Sequence, residues 1–122
     1  MADVYEQHRA AFAQVSAYVV IKDAGNGPER VATIAFKFPR DGAGRLWVYV
    51  HWLGTEMVRG YASGYGYDKR TAACANAAKK INRGIPGIHQ DRLAFINALE
   101  KDSGTYWDRQ LEDAGFTVLS AV

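Results

Sequence analysis

The chain of 122 residues, 48% hydrophobic and 23% charged, has the size and polarity of one packed domain over residues 1–122. Disordered and fibrous classes are thereby excluded, and a separate catalytic domain has no room. Net charge is only +2, yet between positions 59 and 83 Arg59, Lys69, Arg70, Lys79, Lys80 and Arg83 stand against one acid, Asp68, so a polyanionic partner is to be sought there first.

The opening segment MADVYEQHRAAFAQV is charged within its first turns and places Val4, Tyr5, His8, Phe12 and Val15 at three- and four-residue steps, which predicts a helix from about Asp3 to Val15. No stretch approaches the roughly 20 apolar residues of a membrane span. A cytoplasmic protein off the membrane is expected, and the lone Cys74, which can form no intramolecular disulfide, fits a reducing compartment.

AYVVIKD, Ala17 to Asp23, is β-branched and aromatic and precedes the turn-forming AGNGPE. RVATIAFKF then alternates, with Ala32, Ile34, Phe36 and Phe38 on one face and Thr33 and Lys37 on the other. After PRDGAG, RLWVYVHWL sets Leu46, Val48, Val50 and Trp52 opposite Trp47, Tyr49 and His51. Bulk on both faces predicts a central strand. EMVRGYA reads as a weaker fourth strand, and the short loops favour an antiparallel meander.

A helix from Asp68 to about Arg83 gathers Cys74, Ala77, Ala78 and Ile81 in one arc and Lys69, Asn76, Lys79, Lys80 and Arg83 in another. Leu93, Phe95, Ile96 and Leu99 mark the next helix, and Thr105 and Asp108 suggest a capping box for a shorter one that Gly115 ends. The predicted fold is α+β, a mainly antiparallel four-stranded sheet with helices packed on one face. FTVLSAV is available as a fifth, edge strand.

GYGYDKRT places glycines before a helix, the layout of a phosphate cradle. It lacks the Gly-Lys-Ser/Thr ending of a P-loop, has Lys69 where the dinucleotide fingerprint needs glycine, and sets Asp68 as an N-cap where an anion would sit. Gly64 and Gly66 are therefore read first as a hinge that lets a small-faced helix lie on the sheet. Cys74 lies among alanines, where thiols are inert. His8, His51 and His89 have no metal-ligand spacing. No catalytic residue, metal or cofactor is expected.

The basic arc is left without a role by the hinge reading. Tyrosine interleaved with arginine and lysine serves both single-stranded nucleic acid and protein interfaces. The candidate binding residues are Arg59, Tyr65, Tyr67, Lys69, Arg70, Lys79, Lys80 and Arg83. Trp47, Tyr49 and His51 either extend that surface or, more in keeping with their bulk, are covered by a helix.

Two resemblances bear on the partner. Gly64, Gly66, Lys69, Arg70, Ala72, Ala77 and Ala78 in GYGYDKRTAACANAAKKI, with GPER at Gly27 to Arg30, resemble double-stranded RNA-binding domains. Ala73 stands where that family has a third basic residue, and Arg30 where it has a histidine. This implies phosphate contacts by the paired basic residues and a Gly-Pro loop in a minor groove. Gly66, Tyr67, Asp68 and Lys69, with the pattern from Trp107 through Leu111 and Gly115 to Val118, resemble small proteins of phages and mobile elements. That likeness implies an accessory role without catalysis, such as inhibition of a bacterial defence protein or ribonucleoprotein complex of the CRISPR or restriction type.

Overall fold

The structure, a computed structural model, describes residues 14–23, 25–38, 45–63, 67–101 and 104–121, with the backbone alone for Gln14, Val15, Tyr67 and Asp68. Its strands are β1 (Gln14–Asp23), β2 (Pro28–Phe38), β3 (Arg45–Trp52), β4 (Val58–Ser63) and β5 (Thr117–Ser120); its helices are α1 (Tyr67–Lys79), α2 (Gln90–Glu100) and α3 (Trp107–Asp113). The sheet runs β4-β3-β2-β1-β5, with every neighbouring pair antiparallel. This is the expected α+β architecture with the fifth strand present. No helix among the described residues is long and apolar enough to cross a membrane.

Alternation decides which face is which. Ala32, Ile34, Phe36 and Phe38 of β2 and Leu46, Val48 and Val50 of β3 are buried in one cluster with Ala73, Cys74, Ala77 and Ala78 of α1, Phe95, Ile96 and Leu99 of α2, and Trp107 and Leu111 of α3. The helices therefore share one face of the sheet. Two aromatic groups consolidate this layer: Trp107 against Tyr18 and Phe36, and Trp52 with Phe95 and Phe116.

Local chemistry shapes the connections. Asp23 Oδ1 accepts from the Gly25 N–H at 3.0 Å, and Gly25 and Gly27 take positive φ at the β1–β2 turn. After α3, the Gly115 N–H donates to the Glu112 carbonyl and the Phe116 N–H to that of Leu111, a Schellman termination with Gly115 at φ +96. β5 then turns back to pair Thr117–Ser120 with Ile21–Tyr18.

Three boundaries differ from expectation. The helix predicted over Asp3 to Val15 lies outside the described residues as far as position 13, but Gln14 and Val15 belong to β1, opposite Phe38 and Lys37. α1 stops at Lys79 rather than Arg83, because the Lys80 and Ile81 N–H groups take tighter three-residue bonds to Ala77 and Ala78 and Asn82 Oδ1 accepts from Gly84. The Thr105–Asp108 capping box does not form. Tyr106 stands at the N-cap and its side chain makes no capping hydrogen bond, the Trp107 N–H is satisfied by Thr71 Oγ1 of α1 at 3.0 Å, and Asp108 accepts from the Arg109 N–H.

α1 lies unusually close to β4. A Cβ built on Gly60 would stand 2.7 Å from Ala77 Cα and 2.8 Å from the Ala73 carbonyl oxygen, so only glycine admits this approach. The small arc of α1 thus has a definite counterpart in the strand.

Candidate functional site

The basic residues of the 59–83 stretch do not form one surface. Arg70 turns toward the sheet, its guanidinium 5.0 Å from the Phe38 ring and 5.9 Å from Phe36. Arg83, past the end of α1, donates to Asn97 Oδ1 at 2.9 Å and pairs with Glu100, both on α2. Lys69 and Lys79 are exposed on α1. Tyr65, with Gly64 and Gly66, lies outside the described residues, as do the side chains of Tyr67 and Asp68 and hence the proposed cap.

Arg59 and Lys80 do come together, at the free edge of β4. Lys80 Nζ donates to the Arg59 carbonyl at 3.1 Å, and Asn76 Oδ1, one turn earlier on α1, accepts from the Tyr61 N–H at 3.1 Å. These are backbone groups an edge strand would otherwise present to another chain. Asn76 and Lys80 therefore close this part of the edge and fix β4 to α1.

The register places more around that point. Trp47 of β3 lies directly opposite Tyr61 of β4, and Tyr49 opposite Arg59. These residues alternate with Leu46, Val48 and Val50, so they project from the face opposite α1, α2 and α3. Whether a helix covers Trp47, Tyr49 and His51 is not decided by α1, α2 and α3, which lie on the other face; Trp47 and His51 are half-buried. Tyr49 is buried, with Lys37 Nζ 4.4 Å from its ring centroid. His51 Nε2 is 2.9 Å from the Thr55 carbonyl, bracing the β3–β4 turn.

On this outer face four side chains form a diagonal row. Arg45 lies 4.4 Å over Tyr61, Tyr61 is 5.3 Å from Trp47, and Arg59 lies 4.8 Å over Trp47. Lys80 adds a third cation 5.7 Å from the Tyr61 ring. Diagonal cross-strand neighbours are within reach of long side chains, which explains how each arginine meets the ring on the other strand. Among the described residues none of these three cations is in an ion pair; the pairs formed are Arg83–Glu100, His89–Asp91 and Arg109–Asp113. Positive charge held on aromatic faces, without an acidic partner among the described residues, offers an anion both a charge and a flat apolar surface.

Arg45 escaped the sequence reading. Its period-two relation to Trp47 is visible in the sequence, but its contact with Tyr61 depends on strand register.

Other chemistry is sparse. Cys74 is fully buried, and burial, with a smaller contribution from the Asp108 charge, pushes its thiol well above the ordinary range. A thiol-specific disulfide reagent should therefore leave the native protein unlabelled near neutral pH and react at once in denaturant. The sign for stability follows: the folded state keeps a proton that the unfolded thiol releases above about pH 8.5, so stability should fall as pH rises past that point. Among the described residues no group of three His, Cys, Asp or Glu side chains is placed to hold a metal ion. A groove of about 360 Å³ at the start of β2 is lined by Glu29, Arg30, Val31, Trp52, Leu53, His89 and Asp91, with both charge signs and no convergent set.

The two elements that resemble a double-stranded RNA-binding domain are separated. Gly27 and Pro28 stand at the start of β2, and α1 follows Ser63, which pairs with Arg45 beside the far end of β2. Three strands intervene, an odd number, so loop and helix opening lie at opposite ends of the sheet. At about 3.3 Å per residue the length of β2 sets them roughly 33 Å apart. No protein-family model, curated protein or solved structure matches the chain.

Proposed function

We propose that this chain is a non-enzymatic accessory binding protein that holds an anionic partner against the outer face of β3 and β4. The observation that carries the reading is the row Arg45–Tyr61–Trp47–Arg59, flanked by Lys80, with no acidic partner for any of its cations among the described residues. Its resemblance to phage and mobile-element proteins suggests the setting, a bacterial defence protein or ribonucleoprotein complex on which the chain binds an acidic patch or competes for the nucleic-acid path. A positive surface makes it a competitor for that path rather than a mimic of nucleic acid.

The reading moves the centre of binding from the basic arc of α1 to the sheet. Arg59 and Lys80 belong to both, whereas Lys69 and Lys79 belong only to the helix. Retention on a heparin column separates them: Arg45→Glu with Arg59→Glu should elute at clearly lower salt than the parent, and Lys69→Glu with Lys79→Glu should shift it less, although both pairs change net charge equally. The reverse order would return the site to α1. The defence role is tested by plasmid interference in a strain with an active CRISPR or restriction system, where relief by the parent chain should be lost in the Arg45/Arg59 variant.

A further inference from the structure

We propose that the row is a platform for single-stranded nucleic acid, with Trp47 and Tyr61 stacking bases and Arg45 and Arg59 contacting the phosphates on either side. This rests on the anion-binding reading above and names the anion. The order of side chains is the first argument. Two rings lie between two guanidinium groups, and Arg45 and Tyr49, the residue opposite Arg59, are four positions apart on β3, about 13 Å of strand. Single-strand sites combine positive charge that follows the backbone with aromatic faces that take bases in succession. A carboxylate-rich protein patch would use the guanidinium groups and leave the rings between them without a role.

The second argument concerns what the site refuses. A duplex keeps its bases stacked inside and offers only phosphates, so it too would leave Trp47 and Tyr61 idle. A peptide partner that adds as a strand needs free backbone groups on β4, but the Tyr61 N–H and the Arg59 carbonyl are taken by Asn76 and Lys80. Those bonds also fix the strand that carries Arg59 and Tyr61, so the row is ordered before any ligand arrives. Each arginine lies over an aromatic face and is itself exposed, so its guanidinium can turn from the ring to a phosphate and leave that face to a base.

The test uses the full chain and four probes: oligothymidylate and oligouridylate of about twelve nucleotides, a duplex of the same length, and polyglutamate, at about 50 mM salt and upward. Single strands should bind more tightly than duplex and quench tryptophan fluorescence. Trp47→Phe should keep most of the affinity and lose the quench, which separates Trp47 from Trp52 and Trp107. Tyr61→Leu should weaken single-strand binding about tenfold while polyglutamate binding is unchanged. Arg59→Gln should reduce the slope of log affinity against log salt by about 0.7. Tighter binding of duplex, or full affinity for single strands in Tyr61→Leu, overturns the stacking platform and leaves the anion-binding function intact. Binding of polyglutamate alone assigns the surface to an acidic protein. If no probe binds at low salt, the function proposed for this face fails with it.

Discussion

Gly60→Val is expected to destabilise the protein by about 3 kcal/mol or more, beyond the usual range for an added side chain in a packed core. Gly60 is buried in the middle of β4 and is not among the glycines with positive φ, so closeness of approach, not turn conformation, is what it supplies. The atoms in the way are Ala77 Cα and the Ala73 carbonyl, backbone atoms that no rotamer change can move. α1 would have to lift from the sheet, taking with it the bonds from Asn76 to Tyr61 and from Lys80 to Arg59. The better strand propensity of valine, at most about 1 kcal/mol, cannot offset this. Denaturant unfolding should show the loss as a fall in midpoint, already present for Gly60→Ala. Ala77→Gly should fail to rescue either variant, because the obstructing atoms of residue 77 are not its methyl group. Rescue would mean that the helix docks through its side chains and that the close approach is not what makes glycine necessary.

That contact shows where sequence reading succeeds and where it stops. Period two was enough to sort Ala32, Ile34, Phe36 and Phe38 from Thr33 and Lys37, and the arc from Cys74 to Ala78 was visible as a small face. Both follow from spacing along one element. The strand that receives the small face reads as the weaker one in the sequence, yet it contains Gly60, the residue that makes the docking possible. The sequence reading instead gave the hinge to Gly64 and Gly66, which lie outside the described residues.

The same division runs through the candidate site. Angular projection grouped Lys80 with Arg83 on the assumption that the helix continues, but α1 stops at Lys79, and Arg83 joins Asn97 and Glu100 on α2. Arg70 has basic neighbours in sequence and aromatic neighbours in space. The row on the outer face requires that Trp47 stand opposite Tyr61, and register between two strands is fixed by the turn and by the packing of their other face. None of these is local. Arg45 therefore drew no notice in the sequence, although it is one end of a four-residue row.

A second substitution separates the fold from that row. Trp107→Ala is expected to cost about 3–5 kcal/mol, a large share of the roughly 5–15 kcal/mol that holds a domain of this size. Trp107 is 2% exposed and packs 5.0 Å from Tyr18 and 5.1 Å from Phe36, so it ties α3 to the middle of the sheet through β1 and β2. Seven residues cannot hold a helix without such an anchor. The Trp107 backbone N–H, bonded to Thr71, survives any change of side chain. The indole Nε1 is buried with no hydrogen-bond partner among the described residues, so Trp107→Phe removes an unsatisfied donor as well as some volume and should cost only about 1–2 kcal/mol. Unfolding curves for the two variants measure the difference directly. Equal losses would show that the indole ring edge, not apolar volume, is what the site needs. Since Trp107 packs on the helix-bearing face and the Arg45–Tyr61–Trp47–Arg59 row lies on the other, Trp107→Phe should keep heparin retention unchanged, which a single surface serving both stability and binding would not allow.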